Sequence, residues 1–188
     1  MDGKLRSVAW GKEVRRPCRL RHERRLKPKE RLTSGLGFGG TNLDPTWSPD
    51  GRKIAYVTPL NSDTAEIWVV NANGGGLRRL TRNAMEHREP AWSPNGRWLT
   101  FVGIHAFGEP PWDIYLVRPD GSGQRRLTRS RKNRFGAVDA AWSPNGQRIT
   151  FASDRDGDTE IYVMSADGSP QRQLTRNRVS DQAPSWVR

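Results

Sequence analysis

The chain has 188 residues, enough for one ordinary domain with its own core and too few to require a second. Its formal net charge is +12, of which +8 falls in residues 1–40, a segment that contains 12 Lys and Arg and only four Asp and Glu. No stretch approaches the ~20 apolar residues of a membrane span. The single cysteine, Cys18, cannot form a disulfide within the chain. Composition therefore argues against a helical membrane span and a disulfide scaffold.

Residues 1–40 form a basic segment that ends in glycines. Clusters such as Arg15-Arg16 and Arg24-Arg25 could hold nucleic acid or an anionic surface through phosphate contacts, but no aromatic is interleaved for base stacking. So charged a segment is also typical of a solvated tail, and we expect residues 1–30 to be poorly packed. Residues 35–40 fit G-x-G-x-x-G without the strand and helix of a dinucleotide site.

From residue 41 onward the chain repeats itself. The heptapeptide at 45–51 (PTWSPDG) returns at 90–96 (PAWSPNG) and 140–146 (AAWSPNG), and a fourth copy begins at 184–186 (PSW). The repeat tryptophans, Trp47, Trp92, Trp142 and Trp186, are 45, 50 and 44 residues apart. This period matches a propeller blade and is too long for ankyrin or leucine-rich repeats.

Each repeat contains the pattern of four short strands. Period-two alternation predicts second strands at 53–57, 98–102 and 148–152, and β-branched and aromatic residues predict third strands at 66–70, 113–117 and 160–164. A polar fourth strand ends at each Leu-Thr pair, at 80–81, 127–128 and 174–175. The Ser-Pro-Asp/Asn-Gly joints supply the Pro and Gly of tight turns.

These patterns predict an all-β fold, a partial β-propeller of about three four-stranded antiparallel blades plus a fragment. We place the blades at about 41–83, 84–130 and 131–177, with the fragment at 178–188. Trp47, Trp92, Trp142 and Trp186 are predicted to be the repeated core, packed between neighbouring blades. An earlier Leu-Thr pair at 32–33 is interpreted as the fourth strand of a degenerate preceding blade.

The blades resemble the WD-like repeats of TolB-type propellers, which run Pro-x-Trp-Ser-Pro-Asp-Gly, Ser-Asp-Arg-x-Gly, Glu-Ile-Tyr-Val-Met and Arg-Leu-Thr. The third repeat follows this pattern at 142–146, 153–157, 160–164 and 173–175, while the first two depart in the second hairpin. The resemblance implies a propeller, usually of about six blades, whose first strands line a central channel. This chain supplies about half of such a propeller.

Three carboxylates, Asp44, Glu89 and Asp139, lie three residues before a repeat tryptophan, and Ala183 breaks the series. By resemblance they lie near a channel mouth, where a ring of negative charge could receive a basic peptide or a cation. The alternative is that they are ordinary loop acids that balance nearby arginines.

A second acidic group, Asp154, Asp156, Asp158 and Glu160, offers the oxygens that calcium prefers. An EF-hand needs glycine at the sixth loop position, whereas Gly157 is the fourth residue here. We therefore predict a structural turn, no metal site and no cofactor.

Common catalytic motifs are missing, and His22, His87 and His105 fall at unrelated places in the repeat. We expect a non-catalytic scaffold that binds a protein partner through blade loops or the channel face, with a homodimer as one way to close the ring. Two alternatives stay open: the propeller part of a larger serine peptidase of the prolyl-oligopeptidase type, and nucleic-acid or anionic-surface binding by residues 1–40.

The compartment follows from the same observations as an expectation. The first residues carry no apolar run typical of a signal peptide, so a complete chain is expected in the cytoplasm. A fragment of a TolB-like parent is expected in the periplasm, because the resemblance implies a role in envelope complexes.

Overall fold

The computed structural model describes residues 32–33, 40–83, 85–106, 109–131 and 134–187. No α-helix occurs within these ranges, and their regular structure is a set of short strands. The strands pair as antiparallel groups of four in chain order, so the predicted all-β, partial-propeller architecture is confirmed. The sheets do not close into a ring.

Each blade is an up-and-down group of four strands. Blade 1 contains β1 (Leu43–Trp47), β2 (Lys53–Pro59), β3 (Ala65–Asn71) and β4 (Arg78–Arg79). Blade 2 contains β5 (Glu86–Trp92), β6 (Leu99–Ala106), β7 (Glu109–Val117) and β8 (Arg125–Arg126). Blade 3 contains β9 (Ala137–Trp142), β10 (Arg148–Ser153), β11 (Glu160–Ser165) and β12 (Gln171–Gln173).

The first hairpin of each blade is built by the Ser-Pro-Asp/Asn-Gly joint. In blade 1 the Ser48 hydroxyl donates to Asp50 Oδ1 at 2.7 Å and accepts from the Lys53 amide at 2.8 Å. Gly51 has a φ of 67°, a conformation that favours glycine, and its amide donates to the Ser48 carbonyl at 2.9 Å. The same bonds recur at Ser93 and Ser143, where Asn95 and Asn145 supply the acceptor oxygen, which explains why this position is Asp or Asn in every copy.

Neighbouring blades meet where the third strand of one begins beside the first strand of the next. Ala65 forms a parallel bridge to Glu86, which joins blades 1 and 2 into one eight-stranded sheet. Trp112 forms the equivalent bridge to Gly136 between blades 2 and 3. The Asp181 amide donates to the Thr159 carbonyl at 2.7 Å, and this bond ties the C-terminal fragment to blade 3.

The hydrophobic core lies between blades rather than within one sheet. Strand β7 shows the arrangement, because its successive side chains point to opposite faces. Tyr115 and Val117 pack with blade 1 residues such as Ile67 in one cluster, whereas Ile114 and Leu116 pack in a second cluster with blade 3 residues, including Ile149, Phe151 and Met164. The boundary of blades 1 and 2 and the boundary of blades 2 and 3 therefore each contain a hydrophobic core.

The repeat tryptophans differ in their environments. Trp92 is buried at 9% exposure, and its Nε1 donates to the Thr46 carbonyl of blade 1 at 3.2 Å. Trp186 is half-buried and donates likewise to the Ala141 carbonyl of blade 3, and Trp142 packs against the second core cluster. The prediction of a buried Trp47 is wrong, because Trp47 is 57% exposed. Trp92 and Trp186 contact the preceding blade, whereas the described residues contain no complete blade before blade 1 for Trp47 to contact.

Leu32 and Thr33 lie beside blade 1 as the Leu-Thr pair of one blade lies beside the next blade. A Cβ placed on Gly74 of blade 1 would lie 3.8 Å from Leu32, and one placed on Gly168 of blade 3 would lie 3.1 Å from Leu127, which belongs to blade 2. Asn42 donates to the Thr33 hydroxyl at 2.9 Å. The rest of residues 1–39, with Cys18, His22 and the basic clusters, falls outside the described residues.

We predict that Trp92→Ala lowers the free energy of unfolding by about 3–5 kcal/mol, because a large side chain is removed from a packed blade boundary. Trp47→Ala is the matched control at the same repeat position, and it should cost less than about 1 kcal/mol because its ring is mostly exposed. Urea unfolding followed by far-ultraviolet dichroism measures both. Equal losses in the two variants would contradict the environments described here.

Candidate functional site

The acid series, Asp44, Glu89 and Asp139, occupies one backbone position in each blade, and Ala183 occupies it in the fragment. All four residues have positive φ, at 48°, 53°, 55° and 50° respectively. Such a φ is uncommon for residues other than glycine. In each blade the position coincides with a register shift between the first two strands, so that two residues of the first strand oppose one of the second. This geometry is a β-bulge.

The bulge turns the backbone amide of this position toward the preceding blade, where a carboxylate accepts its hydrogen bond. Asp44 Oδ2 accepts from the Glu89 amide at 3.2 Å, and Glu89 Oε2 accepts from the Asp139 amide at 3.0 Å. Asp139 Oδ2 accepts from the Ala183 amide at 2.9 Å. The acids thus form a relay of inter-blade bonds in which each blade holds the bulge of the next.

The relay brings three carboxylates close together, and Glu89, the central acid, is repelled by the other two. Burial raises the pKa of Glu89, the hydrogen bond from the Asp139 amide lowers it, and repulsion from Asp139 and Asp44 raises it further. The net effect is a raised pKa. The central acid of the series therefore holds its proton more tightly in the folded chain than in the unfolded one.

A second set of carboxylates lies in the third strand of each blade, and sequence reasoning did not predict its role. Glu66, Asp113 and Glu160 are each buried to 2% exposure or less. Each accepts a hydrogen bond from the threonine hydroxyl of its own Leu-Thr pair, at Thr81, Thr128 and Thr175. The equal spacing between these acids and the Leu-Thr pairs was the sequence feature that could have predicted this bond. The threonine of each Leu-Thr pair therefore repeats because it donates to the buried acid of its own blade.

In blade 1 the buried acid also contacts His87 of blade 2. His87 Nδ1 lies 3.3 Å from Glu66 Oε2 and 2.9 Å from the Ala65 carbonyl oxygen. Arg79 donates to the other oxygen of Glu66 at 2.7 Å. Burial raises the pKa of Glu66, but hydrogen bonds from His87, Thr81 and Arg79 outweigh burial and lower it overall. His87 therefore belongs to a structural network at the boundary between blades 1 and 2.

The four residues with calcium-like chemistry are directed to separate partners. Asp154 accepts from the amides of Phe135 and Gly136 at 2.8 and 2.9 Å, and Asp156 accepts from the Tyr162 hydroxyl at 2.7 Å. Glu160 accepts from Thr175 and from the Asn177 amide, while Asp158 is exposed. Among the described residues no three His, Cys, Asp or Glu side chains form a group suited to a metal ion.

One cleft lies beside the acid series, at the boundary of blades 1 and 2. Its volume is about 380 Å³, and its lining includes Leu43, Asp44, Glu86 and Arg88, with the β2–β3 turn at 61–64 on its other side. Leu43 is 45% exposed, so the cleft combines an apolar wall with acidic and basic groups.

Within the described part of the chain, no helix is long and apolar enough to cross a bilayer.

The sequence model of the TolB β-propeller domain matches residues 25–138 of this chain. The chain belongs to the TolB β-propeller domain family. The putative TolB of Agrobacterium tumefaciens has 30% sequence identity and a TM-score of 0.58, over 69% of this chain and 47% of that protein. TolB of Acinetobacter baumannii has 24% identity and a TM-score of 0.62, over 77% of this chain and 35% of its own.

Two peptidases are also among the proteins to which this chain is similar. An uncharacterized peptidase of Bacillus subtilis, YuxL, is 40% identical over 40 residues, which is 21% of this chain and 6% of the peptidase. A puromycin-hydrolyzing peptidase of Mycobacterium tuberculosis shares the fold, with 20% identity and a TM-score of 0.59 over 72% of this chain and 23% of its own. The TolB-like chain spans less than half the length of each of these relatives.

The raised pKa of Glu89 predicts a pH-dependent contribution to stability. Because the folded chain binds this proton more tightly, ionisation of Glu89 lowers the free energy of unfolding as the pH rises from 4.5 through the raised pKa. Glu89→Gln keeps an oxygen for the Asp139 amide without the charge. We expect this variant to be at least as stable as the parent at pH 7. The difference in free energy of unfolding between the two proteins should vanish below pH 4.5, where Glu89 of the parent is protonated.

Glu89→Ala is the control, because it removes the acceptor as well as the charge. It should be less stable than Glu89→Gln by about 1 kcal/mol throughout the pH range. Urea titrations between pH 3.5 and 8 measure all three proteins. If Glu89→Gln lost as much stability at pH 7 as Glu89→Ala, the charge itself would be required, which contradicts the unfavourable ionisation that the raised pKa of Glu89 implies.

Proposed function

We propose that this TolB-like chain is a non-catalytic protein-interaction scaffold that binds its partner at the free boundary of blade 1. The observation that carries the proposal is the exposure of Trp47. At the equivalent position of blade 2, Trp92 inserts into the preceding blade and donates to the carbonyl oxygen of Thr46. Trp47 is 57% exposed, so a surface suited to pack against another polypeptide faces solvent.

The strand that carries Trp47 supports a protein as the ligand. Leu43 of this strand is also exposed, at 45%, and lines the separate cleft of about 380 Å³ that Asp44, Glu86 and Arg88 share at the boundary with blade 2. Exposed aromatic and apolar side chains are typical of protein interfaces. Asp44 uses Oδ2 for the Glu89 amide, and its other oxygen is available in this proposal to a basic group of the partner.

A second copy of the chain is the partner that we propose first. The described residues supply three blades and a fragment, fewer than the ~4–8 blades of closed propellers, and two such arcs together would supply about six. A two-fold dimer is the commonest assembly of identical chains. Such a ring would bring Trp47 of one copy to the C-terminal side of the other, where Val179 and Val187 are 67% and 57% exposed.

Sedimentation equilibrium at micromolar concentrations tests this proposal. We expect the parent chain to self-associate and Trp47→Glu to be monomeric, because a buried charge at the interface is costly. Arg52→Glu is the control, since it introduces the same residue at an exposed position in the adjoining turn. A parent chain that is monomeric, soluble and native by near-ultraviolet dichroism would refute the dimer.

A second candidate function rests on the similarity to peptidases. The 40% identity with YuxL over 40 residues supports the alternative in which this chain is the propeller part of a longer serine peptidase. Labelling of the native gene product by a fluorophosphonate would support that alternative. If the chain instead belongs to a longer TolB-like protein, we propose the periplasm as its compartment.

A further inference from the structure

The fourth-strand edge of the blades carries a repeated set of exposed arginines. Segments 77–83, 119–131 and 166–178 contain ten arginines, no lysine and two acids. Arg79 and Arg126 are bound to the buried Glu66 and Asp113. The other eight are exposed and are called the edge arginines below: Arg78, Arg82, Arg125, Arg129, Arg131, Arg172, Arg176 and Arg178.

The backbone fixes one edge arginine at the same place in every blade. The amides of Leu80, Leu127 and Leu174 donate to the third strand at 2.8, 2.7 and 2.7 Å. The following threonine hydroxyls accept from the third strand at 3.0, 2.9 and 2.9 Å. The next residue is Arg82, Arg129 or Arg176, so these three arginines repeat with the period of the blades.

The charge of this edge is not neutralised within the described residues. None of the edge arginines forms an ion pair with a carboxylate there. The two acids of the segments are bonded within their own turns: Asp120 accepts from the amide and hydroxyl of Ser122, and Asp167 accepts from the Ser169 amide. Eight guanidinium groups therefore face solvent beside two carboxylates that are already hydrogen-bonded.

A cleft accompanies the arginines between blades 1 and 2. It has a volume of about 580 Å³ and is lined by Arg78, Arg79, Arg82, Asn83 and Gln124, together with the turn at 120–121. Arg78 crosses the blade boundary and donates to the Asp120 carbonyl oxygen at 3.4 Å. The cleft thus presents guanidinium and amide donors from two blades, which is the donor chemistry that anionic oxygens require.

We propose that the fourth-strand edge binds a linear chain of phosphate groups, with the cleft as its best site. Guanidinium groups bind phosphate oxygens in a bidentate manner, and every cation of these segments is arginine. Trp98 lies beside the edge, and Arg118 lies 4.9 Å and Arg125 6.0 Å from its ring centre. Because arginines cover that ring, we expect recognition to depend on phosphate charge rather than on base stacking against it.

Fluorescence anisotropy with labelled inorganic polyphosphate tests the proposal on the full chain. The edge variant is Arg82→Gln, Arg129→Gln and Arg176→Gln together. The control variant is Arg52→Gln, Arg97→Gln and Arg148→Gln together, which removes the same charge from exposed positions in the first hairpin of each blade. Both variants keep residues 1–40, so the basic segment contributes equally to each.

We expect the edge variant to weaken binding at least about tenfold at 50 mM salt and to reduce the slope of log affinity against log salt by about two. The control variant should stay within about threefold of the parent. Single-stranded DNA of equal charge is the second probe: tighter binding of DNA assigns the phosphates to a nucleic acid, and tighter binding of polyphosphate assigns them to a base-free chain. Equal losses in both variants, or no loss in the edge variant, would overturn the proposal.

Discussion

The left-handed backbone at the bulge of each first strand is the constraint on which the rest of the structure depends. A residue with positive φ at this position turns its amide out of its own sheet, so the amide needs an acceptor from outside that sheet. The preceding blade supplies that acceptor through Asp44, Glu89 or Asp139. Each blade is therefore complete only when its neighbour is in place, and the tryptophan that follows closes the same boundary.

This dependence between neighbours explains why the two ends of the described arc differ from its middle. Trp92 has blade 1 to pack against and is buried, whereas Trp47 has no complete described blade before it and is exposed. At the other end the Ala183 amide donates to the Asp139 carboxylate, but Ala183 has no carboxylate of its own to accept a further amide. The relay thus has a direction, from the first blade toward the fragment. In a repeat protein whose stability depends on contacts between neighbours, such end positions are where association with another surface is favoured.

The sequence predicted the architecture because its signals are local. Alternation over 53–57 and 148–152, the Ser-Pro-Asp/Asn-Gly turns and the Leu-Thr endings each specify strand or turn within a few residues. The roles of the acids could not be predicted in this way, because the partner of Glu89 is an amide 50 residues away and its φ is a property of the assembled bulge. The buried Glu66 was missed for a similar reason, since its partners come from two blades.

Hydrogen exchange at the Ala183 amide tests the inter-blade relay most directly. In the parent chain and in Asp139→Asn, which keeps an acceptor oxygen, this amide should be protected; in Asp139→Ala it should exchange about 10–100-fold faster. The Asp139 amide, bound by Glu89, should keep its protection in all three proteins. Equal exchange of the Ala183 amide in the alanine and asparagine variants would contradict a relay of carboxylates that hold successive blades together.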